Sequence, residues 1–401
     1  MISSQSVICN TTLIDASHRV RYDAWALPGI DQLISSKRVV ICVGPGGVGK
    51  TTTSAAIALR AASEGRKTIV LTVDPAHRLA NSLGLSAFEA DEQEIPTSAF
   101  EAVGLTHNAP LFAMMLDTKK TFDGIVARYA RDPATRKRIL ESPFYEQAST
   151  RLAGSQEYMA MEKLFELYDE ARFDLIVLDT PPTVHALDFL DAPDRLEAFM
   201  SQNTTGLVAK STRVLGKLGL SFLKANSVIL KGISKFLGTE LFVQIVEFLQ
   251  DFSSMYTGFR NRAGAVKQLM RSPEVAFVIL TGPGRPSIDE GLFFYERLAA
   301  ENLPFGAFVV NRARRDFGAI DPDTEARFLD DFPNGPLADR IIEHARNYQT
   351  LVRRDLRELR RLTEHLGPEI DVFLVPDFDE DIHDLEGLAR YGKTLAAAVR
   401  P

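Results

Sequence analysis

The segment Arg38–Thr51, RVVICVGPGGVGKT, joins an apolar run to a glycine-rich loop. The run has the length of a β-strand, and its lack of polar alternation indicates burial on both faces, as in a parallel sheet. The loop Gly44–Thr51 fits the pattern G-x-x-x-x-G-K-T, in which backbone N–H groups can approach a phosphate because glycine has no side chain. The alanine-rich stretch Thr52–Ser63 is predicted to be helical. Strand, loop and helix in this order predict a nucleotide-binding fold.

The loop contains the side chains that are needed to bind a nucleoside triphosphate. Lys50 brings a cation to the β- and γ-phosphates and is predicted to be catalytic, and the Thr51 hydroxyl is a predicted ligand of Mg²⁺. The positive end of the following helix dipole adds to the attraction for phosphate. We therefore predict ATP and Mg²⁺ as cofactors. The predicted nucleotide-binding residues of this region are Gly46, Gly47, Val48, Gly49, Lys50, Thr51 and Thr52.

Two aspartates at strand ends are predicted to complete the site. A P-loop ATPase needs an acidic residue on a nearby strand for the magnesium shell, and Asp179 follows the apolar run Leu175–Leu178. Asp74 ends the predicted strand Thr68–Val73 and is the candidate for orienting the attacking water. Because an exposed aspartate has a pKa of about 3.9, orientation of water is favoured over early proton removal. The alternative role for Asp74 is that of a helix N-cap.

The rest of the chain repeats the alternation of strands and helices. This alternation predicts an α/β fold, a doubly wound and mostly parallel sheet of the P-loop NTPase type. One of the predicted helices is Ser287–Ala300, where Ser287 and Glu290 have capping-box spacing. The further predicted strands are Leu111–Leu116, Val275–Leu280, Phe305–Val310 and Val372–Val375.

The domain organisation follows from where this alternation begins and where it is interrupted. We expect residues 1–37 to be an N-terminal extension and residues 38–401 to form one ATPase domain. Helical inserts, forming an inserted helical subdomain, are expected at about 118–170 and 196–270.

The bulk composition narrows the classes of protein. The 401 residues carry a net charge of −7, which argues against nucleic acid as a partner. The only two cysteines, Cys9 and Cys42, do not have the spacing of metal ligands. No secretory signal is visible at the N-terminus, and no apolar stretch reaches the roughly 18 residues of a membrane helix. A cytoplasmic protein is expected, with a peripheral membrane location as a further option.

Residues 201–239 have a charge pattern unlike the rest of this acidic chain. They contain six lysines and arginines but no aspartate or glutamate, and apolar residues lie between the basic ones. One hypothesis is an amphipathic element at 207–237 that contacts a hydrophobic client or a membrane surface. The alternative is a packed helical subdomain whose lysines extend to the solvent.

The phosphate loop, the segment Asp74-Pro75-Ala76-His77 and the segment Asp179-Thr180-Pro181-Pro182-Thr183 together resemble the arsenite-pump (ArsA-like) ATPase family. That family includes the eukaryotic ATPase that targets tail-anchored membrane proteins. The resemblance covers most of residues 38–392 and is closest to the bacterial members. It implies a dimeric switch in which ATP binding and hydrolysis change the shape of the protein. It also implies adenine-side roles for Asn311, Pro376, Asp377 and Phe378.

The chain departs from the family pattern at one position of the loop. Pro45 replaces the signature lysine that reaches across the dimer to the phosphates of the neighbouring subunit. This contact is therefore absent, replaced by another residue, or supplied by a paralogue in a heterodimer. Arg78 is the candidate for the replacement. The alternative functions are a nucleotide-gated chaperone or targeting module for hydrophobic clients, and a poorly hydrolysing subunit completed by a paralogue. The cysteines that bind zinc or arsenite in the family are missing.

Overall fold

A computed structural model describes most of the chain between residues 30 and 396. The predicted amphipathic element at 207–237 lies outside the described residues, and so does most of the predicted extension. The described residues are 30–74, 78–85, 91–145, 155–181, 244, 247–248, 250–251, 254–318, 322–331, 336–368, 370 and 372–396.

The helices and strands are labelled in chain order within these residues. The strands are β1 (Val39–Val43), β2 (Thr68–Thr72), β3 (Gln93–Glu94), β4 (Leu111–Met115), β5 (Leu175–Asp179), β6 (Val275–Thr281), β7 (Phe305–Ala313) and β8 (Val372–Pro376). The helices are α1 (Ile30–Ser36), α2 (Lys50–Ser63), α3 (Arg78–Ser82), α4 (Thr97–Ala102), α5 (Thr118–Tyr129), α6 (Pro133–Leu140), α7 (Ser155–Asp169), α8 (Tyr256–Met270), α9 (Arg285–Ala300), α10 (Pro322–Asp331), α11 (Pro336–Leu366) and α12 (Leu385–Ala396).

The strands form one eight-stranded sheet in the order β3-β4-β2-β5-β1-β6-β7-β8. Every neighbouring pair is parallel except β3 with β4, a short antiparallel edge that the sequence analysis did not predict. The predicted α/β fold with a doubly wound, mostly parallel sheet is confirmed. Strands β2 to β5 lie on one side of β1 and strands β6 to β8 lie on the other, so a crevice is expected at the carboxyl end of this central strand.

Strand β1 shows why its sequence is apolar throughout. Val39, Ile41 and Val43 pack into the core on one face of the sheet, and Val40 and Cys42 pack into the core on the other. Helices α7, α8 and α9 contribute to the first core, and helices α1, α2 and α12 contribute to the second. Successive side chains of a strand point to opposite faces, so burial on both faces requires a continuous apolar run.

Two helices begin earlier than the sequence predicted. Helix α9 begins at Arg285, and its N-cap is Gly284 without a capping side chain, so the predicted capping box at Ser287 is wrong. Ser287 Oγ instead accepts a hydrogen bond from the N–H of Gly282 at 2.8 Å and closes the turn after β6. Helix α2 begins at Lys50, directly after Gly49, whose left-handed backbone (φ 92°) starts the helix inside the phosphate loop.

The described parts of the first expected insert are helical. Helices α7 and α8 are joined by a buried ion pair, in which Arg262 Nε donates to Glu162 Oε1 at 2.7 Å. Burial raises the pKa of the Glu162 carboxyl, and the charge of Arg262 opposes that rise.

Among the described residues, no helix combines the length and the apolar character needed to cross a bilayer.

Candidate active site

The order of the strands places the predicted site residues in one row along the carboxyl edge of the sheet. Strands β2, β5 and β1 are neighbours, so Asp74, Asp179 and the phosphate loop follow one another. Beyond β6, strands β7 and β8 bring Asn311 and Asp377 to the same edge. Residues from five separate parts of the chain therefore meet where a doubly wound sheet binds its ligands.

A cleft of about 480 Å³ opens at this edge. Among the predicted residues, Gly46 is exposed outside the lining and Pro376 is half-buried at the end of β8. Val48 is buried in the core, and Asp179 is fully buried behind the lining. The predicted residues that line the cleft are Gly47, Gly49, Lys50, Thr51, Thr52, Asp74, Asn311, Asp377 and Phe378. The lining residues that the sequence analysis did not select are Asn81, Ser82, Thr180, Arg312, Glu380, Asp381, Ile382, His383 and Tyr391.

Two glycines of the phosphate loop have no room for a side chain. A Cβ atom on Gly44, where φ is 148°, would lie 2.1 Å from the carbonyl oxygen of Leu280 in β6. A Cβ atom on Gly49, where φ is 92°, would lie 2.3 Å from Asn311 Nδ2. Both φ values are also unfavourable for residues with a Cβ. The loop therefore packs against β6 and Asn311 only because these positions are glycine.

Lys50 lies under the loop and is almost fully buried. Its Nζ donates hydrogen bonds to the carbonyl oxygens of Gly44 and Pro45, both at 2.8 Å. Burial lowers the pKa of the Lys50 ammonium group, and the charge of Asp179 opposes this. An ammonium group has three donors, so the two bonds to the loop leave one donor with which Lys50 could bind a phosphate oxygen.

Asp179 joins the phosphate loop to the neighbouring strand. Its Oδ2 accepts hydrogen bonds from Thr51 Oγ1 at 2.7 Å and from Thr72 Oγ1 at 2.8 Å. Burial raises the pKa of the Asp179 carboxyl to about 6, although the hydrogen bonds from both threonines oppose the rise. Its Oδ1 is buried and has no hydrogen-bond partner among the described residues.

An unpaired carboxylate oxygen in a buried position is costly and calls for a ligand or a water molecule. Magnesium prefers oxygen ligands and usually keeps several waters when it binds beside phosphates. The Thr51 hydroxyl and the Asp179 carboxylate supply oxygens of this kind, and Asp179 Oδ1 could accept a hydrogen bond from a water of the metal shell. The residues present therefore fit Mg²⁺.

Asp74 is half-buried at the end of β2 and lines the cleft. Its backbone N–H donates to Thr72 Oγ1 at 3.2 Å, and Thr72 in turn donates to Asp179. On the other side, Gln156 Nε2 of helix α7 donates to the carbonyl oxygen of Val73 at 3.3 Å. The backbone that positions Asp74 is thus held between Asp179 and helix α7.

Asn311 contacts the phosphate loop from β7. Its Nδ2 donates to the carbonyl oxygen of Val48 at 2.9 Å, and the side chain is almost fully buried. Because the amide nitrogen is directed to the loop, the amide oxygen lies on the opposite side of the group, where it could accept a hydrogen bond. From sequence alone Asn311 is only a polar residue at a strand end, and its contact with the loop is visible only in the structure.

Phe378 and Tyr391 form an aromatic wall at the β8 end of the cleft. Their ring centroids are 6.0 Å apart. The Tyr391 hydroxyl shares a buried hydrogen bond of 2.7 Å with Thr53 Oγ1 of helix α2. Tyr391 is not apparent from the sequence because it lies in an ordinary amphipathic helix, far along the chain from the residue it contacts.

The chain is similar to known ATPases. A family model described as "Anion-transporting ATPase" matches residues 37–317. The chain is 32% identical over 158 residues to "ATPase ASNA1 homolog 1" of Paramecium tetraurelia, and this match covers 38% of this chain and 43% of that protein. It is 26% identical over 302 residues to "ATPase GET3B" of Arabidopsis thaliana, and this match covers 70% of this chain and 66% of that protein.

A third relative is "ATPase GET3" of Malassezia globosa, 26% identical over 177 residues, or 44% of this chain and 49% of that protein. The chain thus spans less than half the length of the Paramecium and Malassezia relatives in these matches. The family model, in contrast, covers most of this chain and includes the phosphate loop, both site aspartates and Asn311. This protein therefore belongs to the anion-transporting ATPase family.

Proposed function

We propose that this chain is a Mg²⁺-dependent ATPase, a dimeric switch that couples its nucleotide state to a partner, a client or a membrane process. One observation carries the proposal: the Thr51 hydroxyl in the phosphate loop is hydrogen-bonded to Asp179, whose second oxygen is buried without a partner among the described residues. This arrangement is suited to a metal shell beside a triphosphate. Membership of an ATPase family supports it.

In the proposed complex the ATP molecule lies along the row of strand ends. The loop N–H groups and Lys50 bind the phosphates, with Lys50 using its remaining donor. The oxygen of Asn311 accepts a hydrogen bond from the exocyclic amino group of adenine. Guanine has a carbonyl oxygen at the corresponding position, so this contact favours ATP over GTP. Pro376, Asp377 and Phe378 form the wall on the adenine side.

Hydrolysis requires an oriented water and stabilisation of charge. Thr51 and Asp179 would hold Mg²⁺, which when bound neutralises charge on the phosphates. The Asp74 carboxylate accepts a hydrogen bond from the attacking water and directs it at the γ-phosphorus. Lys50 donates to the oxygens on which negative charge increases. A loose transition state needs little proton removal before the bond to the leaving oxygen breaks, so an aspartate that only orients the water is sufficient.

The first test is ATP turnover per protomer as a function of protein concentration, with and without Mg²⁺. We expect turnover that requires Mg²⁺ and rises with concentration, since the proposed switch completes its site by dimerisation. Pro45 would then be compatible with activity in a homodimer. Tight ATP binding with negligible turnover at every concentration would contradict the homodimeric ATPase. It would favour a nucleotide-gated subunit that a paralogue completes.

A second candidate function is a nucleotide-gated chaperone or targeting module for hydrophobic clients. The observation that favours it is the segment 201–239, which has six basic residues, no acidic residues and many apolar ones. We propose that residues 207–237, within the expected insert at about 196–270, contact an apolar client or a membrane surface. The rest of residues 38–401 would form the ATPase domain that controls this contact.

Deletion of residues 207–237 should abolish ATP-dependent binding to anionic liposomes or to an apolar helical peptide. The physical reason is the loss of both the apolar surface and the basic charge that attracts such ligands. Co-sedimentation and fluorescence anisotropy measure the two kinds of binding. A full-length variant with the six basic residues replaced by glutamine separates charge from apolar contact. Binding that survives the deletion would exclude this segment as the contact.

A further inference from the structure

Strand β7 contains an irregularity at the point where it reaches the cleft. Val310 pairs with Leu374 of β8, whereas Ala313 pairs with Pro376, so β7 has one more residue than β8 between these two pairs. Arg312 lies in this interval and has a left-handed backbone with φ 60°. Two residues on one strand opposite one residue on its partner form a β-bulge, and in one type of bulge a residue adopts the left-handed conformation.

The bulge changes the direction of one side chain. In a regular strand, consecutive residues point to opposite faces, so Asn311 and Arg312 could not both face the cleft. Here both residues line it. The left-handed conformation is unfavourable for an arginine, and conformations of this kind persist mainly where a site requires them. The fold therefore retains a disfavoured backbone that brings a guanidinium group to the cleft.

The surroundings of Arg312 indicate which part of a ligand it meets. Within the described part of the chain, the Arg312 side chain has no hydrogen bond or ion pair. Strand β6 separates β7 from β1, so Arg312 lies two strand positions, roughly 10 Å, from the strand that leads into the phosphate loop. The β7–β8 end of the cleft, where Arg312 lies, is also lined by Asn311, Asp377, Phe378 and Tyr391, and the charge of Arg312 acts on the Tyr391 hydroxyl.

We propose that Arg312 binds the nucleoside half of the nucleotide, with its planar guanidinium group stacked on the purine base. A guanidinium plane stacks well on an aromatic ring because it is flat, delocalised and weakly hydrated. Arg312 thus adds a base contact next to Asn311, and the bulge exists to place it there. The inference rests on the proposed function, because it requires a nucleotide in this cleft.

The test is calorimetric binding of three probes, MgATP, MgADP and Mg²⁺ with inorganic triphosphate, to the full chain and to Arg312→Gly. Glycine takes the left-handed conformation without strain, so this variant should fold at least as well as the wild type. We expect the affinity for ATP and ADP to fall about tenfold, and the affinity for triphosphate to stay unchanged. The matched control is Arg315→Gly, which removes the same charge from an exposed residue outside the cleft lining and should change none of the three affinities.

Each other outcome has a distinct meaning. Arg312→Gly with wild-type affinity for ATP and ADP would overturn this inference and leave the proposed function intact. An equal loss for triphosphate and for ATP would assign Arg312 to the phosphates and overturn its assignment to the base. Wild-type protein that binds neither ATP nor ADP would overturn the proposed function itself, and this inference with it.

Discussion

Replacement of Asp74 by asparagine is expected to lower ATP turnover by about 10²- to 10³-fold while the affinity for MgATP stays within about twofold. The substitution preserves the size of the side chain and removes its negative charge. An amide can still contact water, but it no longer holds the water with its lone pairs directed at the phosphorus. Because Asp74 acts on the water and not on ATP, the loss should appear in kcat and not in the dissociation constant.

The measurement is steady-state turnover together with a direct binding titration. The matched control is Asp381→Asn, which removes the same charge from an exposed carboxylate on the opposite rim of the cleft. This variant should keep turnover within about twofold, since an exposed charge is strongly screened. If both variants lose activity equally, the effect is one of overall cleft charge, and the role proposed for Asp74 is wrong.

Replacement of Gly44 by alanine is expected to lower the free energy of unfolding by about 3 kcal/mol and to abolish ATP binding. The new Cβ would lie 2.1 Å from the carbonyl oxygen of Leu280, which is backbone of the central sheet and cannot rotate away. The loop would have to move off β6. Its movement would also displace the carbonyl oxygen of Gly44 that accepts a hydrogen bond from Lys50.

Urea unfolding of the protein without nucleotide gives the stability, and calorimetry gives the affinity. The control is Gly47→Ala in the same loop, where φ is 77° and a Cβ meets no heavy atom within 4 Å. In that variant the free energy of unfolding should fall only by the cost of placing alanine in a left-handed conformation, about 1 kcal/mol. Similar unfolding free energies for the two variants would show that the contact with Leu280 does not constrain the loop.

The strands of this protein are largely predictable because burial on both faces leaves a local pattern. The runs that begin at Val39, Thr68 and Val275 each form a strand of the central sheet. Helix starts were less predictable. Ser287 has the spacing of a capping box, yet the helix begins at Arg285 after the N-cap Gly284, and the Ser287 hydroxyl accepts a hydrogen bond from the N–H of Gly282 instead. Local patterns do not decide between competing hydrogen-bond partners.

Part of the candidate site can be predicted from the sequence, and part of it cannot. The phosphate loop is visible in the sequence because its chemistry depends on glycines and a lysine at fixed spacing within eight residues. Tyr391 and Arg312 were not selected. Tyr391 is recognised only by its hydrogen bond to Thr53, and Arg312 only by the bulge that turns it into the cleft. Neither feature has a local signal, because both arise from contacts between distant segments.

By itself the sequence determined the α/β class and the phosphate loop, and it showed that Asp74 and Asp179 follow apolar runs of strand length. These features depend on the spacing of neighbouring residues, which fixes backbone conformation and side-chain direction locally. Tertiary structure alone decided that β2, β5 and β1 lie side by side, so that Thr51 and Thr72 donate to the same oxygen of Asp179. Strand order is set by packing free energies summed over residues far apart in the chain, and no local pattern records that sum.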